Sequence, residues 1–350
     1  MNFARVEEIA GAVLYEGYML YPYRPSAIKN QQRWNFGVVC PESYCASQPG
    51  SESSCMQTQC LLRTITHSRV AVKIRFLQIV QRLIGRYGHQ DPESPSAAAN
   101  GLEYLDRLEV DRHVHRPLQE AVERAVTYEE FDPISLELRA MEFCFPAEEL
   151  IEEIRDARGN IVGAIIRQQK ELRGRITIGA EPCRDDVVRL TIRIDNLGNF
   201  AADHPLNRDA ALLHSLVSTH IILGVENGEF LSSLDPSVGY EDAASACENI
   251  GAWPVLVDDD AAMMLASPII LYDNPQIAPE SAGNLFDGTE IDEILSLRIL
   301  TLTDDEKTEI RQSDDRAREL LERTESIPNE QFFKLHGVLR ALNSLPEGSK

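Results

Sequence analysis

Four cysteines, Cys40, Cys45, Cys55 and Cys60, fall in the spacing C-x4-C-x9-C-x4-C. Four thiolates offer the soft sulfur set that tetrahedral zinc or an iron–sulfur cluster requires. The spacing is not one of the common structural-zinc forms, so buried or incidental thiols are the plainer reading. His113 and His115 form an H-x-H that would share a face on a strand, but Arg112 and Arg116 flank them and disfavour a cation there. His220, preceded by Ser218 and Thr219 and six residues after His214, is either a core histidine with a hydrogen-bond partner or a metal ligand that needs distant acids. The acids at 287–293 are the candidates for that. A Ser–His pair this close in sequence is not a hydrolase signature and no G-x-S-x-G occurs, so Ser218 and His220 are not read as a catalytic pair. Asp258, Asp259 and Asp260 could hold a hard cation, yet they also suit an exposed connecting loop. No phosphate loop, EF-hand, H-E-x-x-H or C-x-x-C is present. No catalytic set is complete, and no cofactor is expected; zinc, nickel or iron is the alternative.

A second group of residues suits binding. Tyr21, Tyr23 and Trp34 are interleaved with Arg24, Lys29 and Arg33, the residue types that dominate protein interfaces. Stacking on nucleic acid is the other use of such a stretch. The charge decides against it: the chain carries −22 overall, and residues 209–297 hold sixteen Asp and Glu with no Lys or Arg. Such a segment repels nucleic acid and anionic lipid and favours a basic protein or a cation. Within it, Asp273, Asn274, Pro275 and Gln276 follow an apolar run and form a candidate contact loop.

The elements that position these residues are mostly strands. Residues 13–24 and 33–40 read as an opening strand and a second one, followed by a Ser-, Pro- and Gly-rich loop at 41–55. Val70, Val72, Ile74 and Phe76 alternate with Lys73 and Arg75, the period of a half-buried strand. Residues 115–131 are compatible with a helix. Ile134, Leu136 and Leu138 alternate again, and residues 175–195 read as an antiparallel pair with one wet face. Asn227-Gly228 predicts a type I′ hairpin over 218–234. Thr303 to Glu306 fits a capping box ahead of a helical repeat at Ile310, Ala317 and Leu321, and Pro328 opens a last helix carrying Phe332, Leu335, Leu339 and Leu342. The fold class is α+β, mainly β: an antiparallel β-rich body, a sandwich being one form it could take, with C-terminal helices. The expected division is 1–130, 131–287 and 288–350. No apolar run approaches the roughly 20 residues of a membrane span. The acidic start is unlike a signal peptide and seven cysteines is an odd number, so the cytoplasm is the expected compartment.

Three stretches, YEGYMLYPYRPSAIKNQQRWNFGVV, STHIILGVENGEFLSSLDP and SPIILYDNPQIAPESAGNLFDGTEIDEILSLRILTLTDDEK, resemble a family of uncharacterised bacterial proteins encoded beside [NiFe]-hydrogenases of the high-affinity uptake type. The likeness runs from about residue 13 to 325. It takes in Cys60 but not Cys40, Cys45 or Cys55. It implies a non-enzymatic accessory or assembly protein that binds a hydrogenase subunit or maturation factor. A metal-handling protein of the same pathway is the alternative, and a homo-oligomer remains open.

Overall fold

The computed structural model describes residues 1, 3–15, 35–50, 52–87, 102–111, 113–184, 186–200, 207–276, 301–311 and 315–326. They divide between two compact units, one drawn from Met1–Leu20 and Gln31–Gln276, the other holding the helices beyond residue 300. No described helix is long and apolar enough to cross a membrane.

The first unit begins with α1 (Ala4–Val13), α2 (Glu42–Ser47) and a single strand of 33 residues, β1 (Cys55–Tyr87). The short β2 (Leu102–Tyr104) and the hairpin β3 (Leu108–Val110) and β4 (His113–His115) lead into β5 (Leu118–Phe131). Then come β6 (Arg139–Phe145), β7 (Glu148–Arg155), β8 (Ile161–Gln169), β9 (Leu172–Arg184) and β10 (Val187–Asn196). After α3 (Arg208–Leu212) the unit ends with β11 (Val217–Phe230), α4 (Glu241–Ser245), β12 (Trp253–Leu256) and β13 (Met263–Ser267). One antiparallel sheet of eleven strands runs through residues 55–267, across the position near 130 where the sequence division falls.

β1 holds that sheet together. Its first part pairs with β10, from Cys55↔Asp195 to Arg63↔Val187. Its second part pairs with β11 on one edge and β5 on the other, and its end with β8. β9 and β6 extend the sheet from β10; β13 and β12 extend it from β11. Val70, Val72, Ile74 and Phe76 are fully buried, in one cluster with Ile176 and Ile178 of β9, Leu190, Ile192 and Ile194 of β10, and Ile221 and Leu223 of β11. The rings of Phe143 and Phe145 on β6 lie 6.0 and 5.8 Å from that of Phe76, although β6 is three strands away in the ladder. The sheet therefore folds over its own core, two layers of a sandwich sharing β1. Gly174, opposite Phe143, makes this possible: a Cβ there would lie 2.3 Å from the ring.

On the opposite face of the sheet, α1 packs over β11–β13 and reaches β1 through Lys73 and Arg75. Val6, Ile9 and Ala10 pack on Ile222, Val255, Val257 and Leu265. Glu7 pairs with Lys73, and its carbonyl accepts from Arg75 Nη1 at 2.9 Å. Lys73 and Arg75, the polar phase of the predicted strand, thus meet a helix rather than water.

Several elements depart from the sequence reading. Residues 118–131 are strand, not helix: their Gln, Glu, Ala and Arg content favours a helix, but pairing with β1 and burial of Val126 and Tyr128 against the core outweigh propensity. The alternating Ile134, Leu136 and Leu138 precede β6 as an extended linker, with only Leu136 buried. Residues 35–40 form isolated bridges through Val39 rather than a strand, and residues 42–47 of the expected loop form α2. The chain opens with α1; most of the strand expected at 13–24, and the helix expected after Pro328, lie outside the described residues.

Asn227-Gly228 does not reverse the chain. β11 continues through it, and Asn227 keeps the positive φ (54°) that its side chain tolerates. The accommodation lies across the ladder: Thr64 pairs with Gly228 and Arg69 with Glu226, so four residues of β1 bulge opposite one of β11. Ser68 Oγ ties the excursion down: it accepts from Ile65 N (2.8 Å), and its single proton is shared between the carbonyls of Ile65 (2.8 Å) and Asn227.

The β9–β10 pair forms as its period of two indicates, with Leu190, Ile192 and Ile194 inward. In the second unit, α5 (Asp304–Arg311) starts at the expected capping box: Thr303 N donates to Glu306 Oε2 at 3.0 Å and Glu306 N to Thr303 Oγ1 at 3.3 Å. α6 (Asp315–Ser326) is tied to it by Lys307 and Arg311, both paired with Glu325.

Ile192→Ala should cost about 2–5 kcal/mol in urea denaturation, whereas Thr191→Ala on the outer face should cost below about 1 kcal/mol.

Candidate functional site

The four cysteines do not assemble into one ligand set. Cys55 and Cys60 both lie on β1, an odd number of residues apart, so they face opposite sides of the sheet some 17 Å apart along the strand. Cys60 joins the sandwich core, and its thiol neighbour is Cys247, which packs beside Cys183. Cys40 and Cys45 lie together at the start of α2 within electrostatic reach of Cys55 and Glu52. Burial pushes the Cys40 thiol up to about 12, with the Glu52 carboxylate adding to it, and raises Cys45 and Cys60 for the same first reason. These thiols hold their protons, the reverse of what a thiolate ligand or nucleophile needs. All seven cysteines are free, and no group of three or more His, Cys, Asp or Glu among the described residues is placed to hold a metal ion.

His220 is completely buried in β11 under α1. Its Nδ1 lies 2.8 Å from Ser218 O and its Nε2 3.3 Å from Ser267 Oγ, so both ring nitrogens face partners from within the fold. Burial, with the Arg75 guanidinium opposite, holds its pKa down to about 4. The ring sits there as neutral imidazole. His214 lies elsewhere, edge-on to Phe200 at 5.7 Å, and the acids at 287–293 fall outside the described residues. On β4, His115 is pushed toward the neutral form by burial and by Arg82, while His113 is exposed.

The aromatic and basic group Tyr21, Tyr23, Arg24, Lys29, Arg33 and Trp34 lies outside the described residues. The loop Asp273–Gln276 does not, and its geometry divides it. β12 is the last strand of the sheet on its side, and it pairs with β13 alone among the described residues. The chain leaving β13 breaks at Pro268 and folds back along β12's free edge. Leu256 N donates to Asp273 Oδ1 at 2.8 Å, and Leu256 O accepts from Asn274 N at 2.7 Å. Pro254, two residues earlier in the same outward phase, has no N–H to leave open. Asp273 Oδ2 also accepts from Ser232 Oγ at 2.6 Å, and Ser232 Oγ in turn accepts from Leu234 N and Asp235 N. Asp273 is therefore a latch joining two loops, 231–240 and 268–276, with Asn274 beside it at a positive φ (54°) and Gln276 exposed.

The side chains that this latch presents to solvent are ones the sequence reading passed over. Ile270 and Tyr272 are 71% and 86% exposed, and Leu234 and Val238 across the latch are 55% and 94% exposed. Ile270 and Tyr272 belong to the apolar run ahead of Asp273; the strand stops at Ser267, and in the tail Leu271 turns inward, toward α1. The signal that could have found them is Pro268, which ends the strand inside an apolar run. Asp235, Glu241, Asp242, Glu248, Asp259 and Asp260 are exposed in the same segment, while Asp258 caps the β12–β13 turn at Ala262 N (3.0 Å). An acidic field with protruding apolar side chains can attract and then grip a basic protein surface.

No protein-family model matches this chain, and no curated protein is significantly similar to it.

Two outcomes follow from these contacts. His220 takes up a proton in the unfolded chain near pH 6.5 but in the folded chain only near 4, so its contribution to stability is whole above 6.5 and is lost as pH falls toward 4. The loss is about 3 kcal/mol, and urea midpoints of wild type and His220→Gln should converge over that window. Asp273→Ala should cost about 1–3 kcal/mol by leaving Leu256 N unpaired, and should speed hydrogen exchange at Leu256.

Proposed function

We propose that this chain is a non-enzymatic binding protein, an accessory or assembly factor for a [NiFe]-hydrogenase whose partner is a hydrogenase subunit or maturation protein. The observation that carries the binding reading is the latch: Ser232 and Asp273 hold Leu234, Val238, Ile270 and Tyr272 out in solvent within a segment that has no Lys or Arg. Apolar side chains exposed at this level lose free energy in water and regain it against a partner, and a rigid latch lowers the ordering cost of presenting them. The acids around them select a basic surface and speed the encounter. The hydrogenase assignment rests on the resemblance of the three sequence stretches. The chemistry of the interior supports a scaffold: His220 is closed between Ser218 and Ser267, and Cys40, Cys45 and Cys60 hold their protons.

The test is titration of the chain against purified hydrogenase large and small subunits and maturation proteins, at low and high salt. At least one should bind, more weakly at high salt, and Tyr272→Ser should weaken it by about tenfold or more. If none binds, or if neither salt nor Tyr272→Ser alters the affinity, the reading is wrong.

A further inference from the structure

Two free margins of the sheet are treated differently. On the β12 side the last strand carries Pro254, and the backbone groups of Leu256 are taken up by Asp273 and Asn274. Another such margin is β7, which pairs with β8 alone among the described residues, from Glu148↔Gln169 to Ile154↔Gly163. Six consecutive residues of β7, Glu148–Glu153, are exposed on both faces, with Leu150 at 57% and Ile151 at 43%. The strand is nonetheless well anchored. Ile154 enters a cluster with Ile84, Leu108, Val110 and Ile165, and Arg167 bridges Glu152 to Glu120. β7 contains no proline or lysine, and its bulge comes only at Ile154/Arg155, past the exposed stretch. An open, anchored edge of this length is a template for one more strand.

Charge decides which strand. The stretch reads Glu-Glu-Leu-Ile-Glu-Glu, the same pattern in both directions. A second copy paired antiparallel about its centre would set Leu150 against Ile151, but also Glu149 against Glu152 and Glu148 against Glu153. Like charges directly opposite destabilise a ladder, whereas opposite charges stabilise it. We infer that β7 is a docking edge for a basic extended segment of a partner protein, one with apolar residues flanked by Lys or Arg, which adds to the sheet antiparallel or parallel beside Glu148–Glu153. The glutamates repel a second copy of β7 and favour a basic strand. This surface is separate from the Ser232–Asp273 latch and does not depend on it.

The probe is a labelled, end-capped peptide of lysine-lysine-valine-isoleucine-lysine-lysine, with hydrogen exchange of the full chain as readout. At saturation the amides of Glu148–Glu153 should exchange about tenfold or more slowly, as expected for a strand gaining a neighbour. Ile151→Pro should abolish that protection, as should a peptide of the same sequence N-methylated at alternate residues, which keeps the charge but cannot pair. The glutamate-for-lysine peptide should not bind. No slowing at about millimolar lysine peptide, or equal binding of the N-methylated form, overturns the proposal. The N-methylated arm uses unaltered protein and decides the matter even if Ile151→Pro fails to fold. Dimerisation of the unmodified chain through β7 at neutral pH would also overturn it, because it would make a second copy the occupant.

Discussion

The first unit depends on one strand serving two layers. β1 is long enough to pair with β10 at its start, with β11 and β5 in its middle, and with β8 at its end. Its inward residues, from Met56 and Cys60 through Phe76, form a continuous apolar row against which both layers close. A straight strand of this length could not pack on itself. The four-residue bulge at Ile65–Ser68 breaks the register, and the single Asn227 opposite takes the left-handed conformation that completes it. Ser68 fixes the bulge with hydrogen bonds to Ile65 and Asn227, so the bend belongs to the design of the core.

That arrangement determines which chemistry each sequence feature can do. Placing β11 and β13 under α1 buries His220 between Ser218 and Ser267, which makes it a neutral structural ring. Placing Cys55 and Cys60 on one strand with odd separation sends them to opposite faces and dissolves the four-cysteine set. The features proposed for binding lie at margins of the sheet: the loops latched beside β12, and the acidic strand β7, whose outer edge is unpaired among the described residues.

Much of this was legible, for reasons that can be named. Val70–Phe76 and the β9–β10 pair carry a period of two because one phase enters the apolar core while the other, Ala71 excepted, carries polar or small residues that are only partly covered. The Thr303–Glu306 box is local chemistry and needs nothing beyond its own residues. β5 was not legible, because its helix-favouring composition is overruled by a partner strand distant in sequence (Lys73↔Thr127 and Ile74↔Val126, for example). Asn227-Gly228 specifies a left-handed backbone but not whether the chain reverses; that depends on residues 65–68. Asp273 is legible as part of a contact loop, but its use on the edge of β12 follows only once the backbone N–H and C=O of Leu256 are known to face that edge. Ile270 and Tyr272 escaped because an apolar run reads as buried, and Pro268 alone marks where it leaves the sheet.

The central claim is that the latched loops form the contact face, and its most direct measurement is hydrogen exchange of the full chain, alone and mixed with each purified hydrogenase component. The account predicts slowed exchange within 231–240 and 268–276 in the presence of one component, with the interior strands β1, β9 and β10 unchanged. A bound complex that leaves both loops exchanging as in the free chain would contradict it.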